Sequence, residues 1–338
     1  MTEKKQDLLA LRDLVVRYHV QGKPRTYLTA VRGVSLQIAP GEIYGLVGES
    51  GSGKSSLAHA ILKLVPVESG QILLQGQDLG AVGKTEFNKA RREVQLVFQD
   101  SLAALSPRRT IRQTIIEPLN HFKLGETSQR EGKVIEALET VGLDPALKHR
   151  YPGDLSGGQR QRVALARALV TEPALIIADE PVSSLDVSVQ AHIIKLILEL
   201  RERLGIAFLF VSHDLAVVQQ LADRIGVMYL GKLVEEASAN SLFNQPSHPY
   251  TRSLLAAVPV ADPHHPPPIV LTGEPPSPLT PPAGCVFHKR CPESIASCAL
   301  TEPEEFLVDG PGKQSANGVN LKSAEHRVKC HLCNPKKP

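Results

Sequence analysis

Apolar residues fall into a few distinct rhythms along the chain. Leu14-Val15-Val16 and Val34-Ser35-Leu36-Gln37-Ile38 are short, β-prone stretches whose alternation suits an antiparallel edge layer. Leu175-Ile176-Ile177-Ala178 and Ile206-Ala207-Phe208-Leu209-Phe210-Val211 are instead continuously apolar, as parallel strands covered on both faces are. Between them Val189, Ile193, Ile194, Ile197, Leu200 and Leu204 recur at helical spacing, which predicts a strand, a crossover helix and a second parallel strand. A further run, Ile43-Tyr44-Gly45-Leu46-Val47, leads through a Gly/Ser-rich loop to Leu57, Ala58, Ala60, Ile61 and Leu62, so strand, tight loop and helix are expected there. From 99 to 170 the pattern is helical. Val134, Leu138 and Val141 make one stripe, and Val163, Leu165, Ala166 and Leu169 another. This reads as a helical subdomain inserted into an α/β core, the other reading being ordinary crossover helices of the sheet. No internal repeat of 20 to 50 residues is present.

Composition divides the chain. Its 338 residues exceed one average domain, and 42% hydrophobic content can fill a core. All 5 cysteines and most of the 26 prolines lie after residue 258. The expected division is therefore a main body over 1–258 and a small cysteine- and proline-rich extension over 259–338. Residues 259–282, "PVADPHHPPPIVLTGEPPSPLTPP", read as an extended, partly polyproline linker or as a disordered one. A net charge of +3 gives no case for a nucleic-acid partner. No apolar run reaches the ~18 residues of a membrane span, and "MTEKKQDLLALRDL" is too charged for a signal peptide. A cytoplasmic protein is expected, and any work at a membrane needs other chains to supply the spans.

The loop after Val47 carries the first chemistry. Gly48, Gly53, Lys54 and Ser55 satisfy G-x-x-x-x-G-K-[ST], with Glu49, Ser50, Gly51, Ser52 and Ser56 completing the stretch. Glycines let successive N–H groups point into one concavity at a helix start, where phosphate is favoured. Lys54 would reach the β- and γ-phosphates and the Ser55 hydroxyl would ligate Mg²⁺. Asp179 and Glu180 end the apolar run "LIIADEP", where one carboxylate can hold Mg²⁺ through water and the next can accept a proton from an attacking water. Ser156, Gly157 and Gly158, in "LSGGQRQRVALARAL", form a second anion-binding helix start that lacks a lysine, although Ser-Gly-Gly also serves as a plain helix cap.

With Gln159 these residues complete LSGGQ, and here the chain resembles the ATP-binding subunits of ABC transporters. Other positions match in order: Tyr18 resembles the aromatic that stacks on adenine, Gln99 in "VFQD" the glutamine that senses Mg²⁺ and the membrane partner. Asp186, ending "SSLD", resembles the loop lining the dimer seam, and His213 in "FVSHD" resembles the switch histidine. The resemblance spans roughly residues 9–258. It implies a head-to-tail dimer in which each ATP lies between the phosphate loop of one chain and the LSGGQ of the other. Glu180 would be the general base and His213 would position the γ-phosphate and water. Mg²⁺ would be held through Ser55, Gln99 and Asp179, while Ser156 and Gly158 would grip the partner's γ-phosphate.

"LFNQPSHPYTRSLLAAVP" and "GCVFHKRCP" narrow the resemblance to the ATPases of dipeptide and oligopeptide importers, a group that includes nickel and opine systems. Ala103 and Ala104 depart from that subgroup, standing where serines are usual. The subgroup implies a paralogous second ATPase, two permease chains and an external binding protein, with this chain peripheral on the cytoplasmic face of the inner membrane. Cys285, Cys291, Cys298 and Cys330 are widely spaced, and Cys333 stands beside the last of them. A reducing cytoplasm disfavours disulfides, leaving an iron–sulfur cluster, zinc or free thiols. The resemblance implies a [4Fe-4S] cluster on such a tail. Rival functions fit less well: the stretch between Lys54 and Ser156 lacks the sustained heptads of DNA-repair ATPases, one phosphate loop is too few for the ribosomal type, and a small-molecule kinase has no use for LSGGQ.

Overall fold

The computed structural model describes residues 7–20, 22, 25–99, 104–257, 273–308 and 325–333. Along the chain come β1 (Leu9–His19), β2 (Tyr27–Ile38), β3 (Ile43–Val47), α1 (Lys54–Ile61), β4 (Val67–Leu74), β5 (Gln77–Asp78), α2 (Lys84–Glu93) and β6 (Val94–Val97). Helices α3 (Ile111–His121), α4 (Arg130–Thr140) and α5 (Gly157–Leu169) follow, then β7 (Leu175–Asp179), α6 (Val187–Leu204), β8 (Ala207–Ser212) and α7 (Leu215–Leu221). The remainder comprises β9 (Arg224–Tyr229), β10 (Lys232–Ser238), α8 (Ala239–Asn244), α9 (Pro249–Ala256), α10 (Ala296–Leu300), β11 (Phe306–Val308) and β12 (His326–Val328). These residues form two compact units. One takes the described residues of Met1–Ala10, Ile38–Ile43 and Leu73–Val211, the other those of Leu11–Gln37, Tyr44–Ile72 and Ser212–Pro338. The fold is mixed α/β, with parallel and antiparallel strands.

In the first unit β6, β7 and β8 run parallel, Val94 facing Leu175 and Leu175 facing Ala207. Every residue of β7 and β8 is buried, which is why their sequences are apolar without alternation up to their last residues, Asp179 and Ser212. Helix α6 joins them, burying Ile193, Ile194, Ile197 and Leu200. It starts at Asp186, whose carboxylate accepts from Val189 N–H at 2.9 Å, and stops at Gly205 with φ +68°. Leu204, placed by periodicity on the buried stripe, is 51% exposed, because it lies on the last turn before that glycine. Helices α3, α4 and α5 pack on one another, and Ile111, Ile115, Leu119, Val134, Leu138, Val163 and Leu165 on them are fully buried. Each such side chain contributes about 1.5–3 kcal/mol of transfer free energy.

The second unit holds β3 in parallel register with β9, Tyr44 facing Arg224 and Val47 facing Val227. From there the pairing is antiparallel: β9 with β10 around the turn at Gly231, β10 with β12, and β12 with β11. Residues 306–308 and 326–328 thus add two strands beside the β9–β10 hairpin. Strands β1, β2 and β4 are neighbours in a separate layer, in the order β2-β1-β4. Val20 N–H donates to Thr26 C=O at 2.9 Å, closing the β1–β2 turn in the expected antiparallel sense. Both strands outrun the short apolar stretches seen in the sequence, since polar residues on their exposed faces continue the alternation. Linker residues 259–272 and the departure at Ala103 lie outside the described residues; residues 273–282 contain neither helix nor strand.

Candidate functional site

Strand β3 delivers the phosphate loop to α1, and two glycines decide the loop's path. Gly48 has φ +151°, and a Cβ there would stand 2.1 Å from Met228 O. Gly53, the N-cap of α1, has φ +105° and would meet Ala30 O at 2.2 Å. No side chain fits either place, so the backbone approach itself selects glycine. The loop is anchored further where Gly231 N–H donates to Ser52 C=O at 2.8 Å. Lys54, only 4% exposed, points its ammonium into the loop and donates to Gly48 O at 2.7 Å and Glu49 O at 3.0 Å. Ser55 and Ser56 follow on the first turn of α1, which carries no acidic residue to oppose an anion. Tyr18, on β1, donates from its hydroxyl to Ser56 Oγ at 3.1 Å, which ties the expected adenine-stacking residue to the same helix. Ser50 and Gly51 are exposed at the loop tip. His213 is exposed as well, one residue ahead of Asp214, whose carboxylate caps α7 through Ala216 N–H at 2.8 Å.

The other unit gathers the remaining expected residues. Asp179 ends β7, 3% exposed. Glu180 follows with φ +47°, a left-handed conformation costly for a residue with a Cβ, held by its N–H donating to Val211 O at 2.9 Å. Gln99 Nε2 donates to Glu180 Oε2 at 2.8 Å. Ser156 caps α5 in a reciprocal box: its Oγ accepts from Gln159 N–H at 3.3 Å, and Gln159 Oε1 accepts from Ser156 N–H at 3.0 Å. Gly157 and Gly158 are small for packing reasons, since a Cβ would meet Leu185 Cδ2 at 3.1 Å and Val189 Cγ1 at 2.5 Å. Thus "LSGGQ" and "SSLD" touch within one chain. Asp186 has its carboxyl held below the usual range, chiefly by the Ser188 hydroxyl and then by Val189 N–H.

Some pairings were invisible in the sequence. Glu49 N–H donates to Tyr250 Oη at 2.9 Å, and its carboxylate receives Arg290 through two bonds, Nη1 to Oε2 at 2.7 Å and Nη2 to Oε1 at 3.1 Å. Tyr229, Tyr250 and Phe287 pack around this pair, with ring centroids 4.6 to 5.3 Å apart. A second buried cluster centres on Glu235, whose carboxylate accepts from Ser247 N–H at 2.6 Å, His248 N–H at 3.0 Å and His326 Nε2 at 2.6 Å. Burial alone would raise its pKa, but the His326 bond and the backbone donors outweigh that and hold it low.

The cysteines converge. Cys285, Cys298 and Cys330 are buried, Cys291 is half-buried, and Cys285 N–H donates to Cys298 C=O at 2.8 Å. Burial first, and then the nearby Cys298, Cys330 and Cys291, raise the Cys285 thiol to about 11. Cys333, spare by spacing, has its sulfur 3.7 Å from Ser247 O, and a thiol hydrogen bond to Cys333 is the main cause that lowers the Cys330 pKa. An all-sulfur donor set suits iron–sulfur chemistry. Among the described residues no group of three or more His, Cys, Asp or Glu is arranged to hold a metal ion, and no helix is long and apolar enough to cross a membrane.

Comparison with known proteins adds names to this geometry. The family described as "ABC transporter" matches residues 31–183, and "Oligopeptide/dipeptide transporter, C-terminal region" matches 234–298. A putative peptide import ATP-binding protein of Brucella ovis is 46% identical over 298 residues, covering 88% of this chain and 93% of its own. The oligopeptide transport ATP-binding protein AppF of Bacillus subtilis is 46% identical over 90% of this chain and 89% of its own. A solved ATP-binding cassette, a dimer in a post-hydrolysis state with ADP and Pi, shares 29% identity with a TM-score of 0.61, covering 68% of this chain and 98% of that one.

Proposed function

The chain belongs to the ATP-binding subunits of ABC transporters, and from that membership we infer that it is the ATPase of a peptide importer, working with membrane permease subunits. One observation carries the head-to-tail reading: the chain has two phosphate-suited helix starts, α1 with Lys54 and α5 with Ser156, and only the first has a lysine. A helix start without its own lysine is completed when it faces the loaded loop of a second chain. ATP binding then closes the pair and hydrolysis reopens it, because the nucleotide binds the closed state better than the open one.

In this reading Lys54 and the loop N–H groups hold the phosphates, Tyr18 stacks on adenine, and Ser156, Gly158 and Gln159 grip the partner's nucleotide. Asp186 lines the seam between the chains. Glu180 is the general base and His213 orients the γ-phosphate and water. Ser55, Gln99 and Asp179 would hold Mg²⁺, which when bound offsets the phosphate charge. The second ATPase is a paralogue, the permeases number two, an external binding protein supplies the peptide, and the complex sits at the cytoplasmic face of the inner membrane. Residues 1–258 are the motor and 259–338 the extension. There Cys285, Cys291, Cys298 and Cys330 hold a [4Fe-4S] cluster, a reading supported by their burial, mutual proximity and sulfur-only chemistry.

The test is ATP turnover of wild type and Glu180→Gln, alone and with neighbouring permease and ATPase chains, while dimerisation is followed by size. Stimulation by the membrane subunits and an ATP-trapped dimer in the variant are expected. Turnover indifferent to the membrane subunits would instead indicate a soluble ATPase.

A further inference from the structure

Arg290 lies between Cys285 and Cys291, on a turn where its own N–H donates to Phe287 O at 2.9 Å. Its side chain is 6% exposed, and its two-pronged bond to Glu49 holds it firmly ionised. Tyr229 adds a third contact, Nη1 to Oη at 3.4 Å. Glu49 is the residue after Gly48 in the phosphate loop, and every polar group of that residue is held. The carboxylate meets Arg290, the N–H meets Tyr250, and the carbonyl accepts from Lys54 Nζ. A planar guanidinium fixes both position and rotation of a carboxylate, which an ammonium cannot do.

We propose that Arg290 is a positioning residue for the nucleotide site: acting through Glu49, it braces the phosphate loop and so ties ATP affinity to the integrity of the cysteine-bearing segment. The proposal rests on ATP binding at this loop. The brace lowers the entropy that the loop loses when it closes on phosphate, so it acts on affinity. The general-base role is assigned to Glu180 and not to this pair, so the chemical step is expected to be spared. Removing one partner also leaves a buried charge unmatched, which makes the two residues behave as a unit.

The experiment titrates MgATP onto the full-length chain and measures steady-state turnover for wild type, Arg290→Gln, Arg290→Lys, Glu49→Gln and the Arg290→Gln/Glu49→Gln pair. Each Gln variant is expected to weaken ATP binding and raise KM about tenfold, roughly the effect of one charge-assisted bond, with kcat within about twofold. Arg290→Lys should fall between, and the double variant should lose little beyond either single one. Should Arg290→Gln fail to fold, Glu49→Gln, whose side chain is 26% exposed, carries the test. Lys54→Ala separates the two ideas. Weakened binding there, alongside wild-type affinity in the Arg290 and Glu49 variants, overturns the brace alone; so does a double variant whose losses simply add. Wild-type affinity in Lys54→Ala overturns the ATP site at this loop and the brace with it.

Discussion

Gln99 Nε2 donates to Glu180 Oε2 at 2.8 Å, while the Glu180 backbone sits in the left-handed region at φ +47°. A costly backbone and a dedicated amide donor together fix the direction of one carboxylate. If Glu180 is the base, Glu180→Gln should lower turnover at least ~100-fold while ATP binding persists. Gln99→Ala should cost less, because the strained backbone still orients the acid. Single-turnover hydrolysis with parallel ATP binding checks both; a Glu180→Gln chain that turns over normally removes this residue from catalysis.

The contact between Gly158 and Val189 leaves no room for a methyl group, its Cβ position being 2.5 Å from Val189 Cγ1. Gly158→Ala should therefore destabilise the chain by about 1–3 kcal/mol through overpacking. Val189→Ala in the same chain should recover most of that loss. Denaturant unfolding of the four-member cycle measures the coupling, and simple additivity would refute the steric account.

Acid should weaken the fold through two groups acting in the same direction. Burial lowers His248 from its ordinary 6.5 to about 4, so between those values the unfolded chain binds a proton that the folded chain refuses. Stability is then complete above about pH 6.5 and falls by about 3 kcal/mol on acidification to pH 4. Glu235, held low in the fold, likewise loses stability as pH falls. Melting temperature against pH should show this slope, and His248→Gln should flatten it; an unchanged slope would point to other groups.

The cysteine segment makes an analytical prediction. Anaerobically purified protein should contain about four irons and four sulfides per chain, and Cys285→Ser should lose them. Wild-type protein without iron would return the segment to zinc or free thiols, which metal analysis of the same sample distinguishes.

What was legible in the sequence follows from how each feature is built. Phosphate binding needs a contiguous curl of backbone, so Gly48 to Ser56 read directly, as did the parallel strands, whose burial on both faces removes polar residues in a row. Leu204 misled because periodicity does not say where a helix overshoots its support. Arg290 and Glu49 could not be paired by reading, being 241 positions apart and each ordinary in its own surroundings. The same holds for Glu235 and His326, which the fold alone brings together. Cys333 shows the intermediate case: its spacing from Cys330 was plain, but its bond to Ser247 depends on where α9 begins.

The pairing of β10 with β12 sets an order in time. Glu235 receives His326 from 91 positions further along, and until that strand exists β10 has an open row of backbone donors and acceptors on one side. A ribosome must have made residues 326–328 before this edge can close. A nascent chain that pauses in the proline-rich segment therefore waits with that edge exposed.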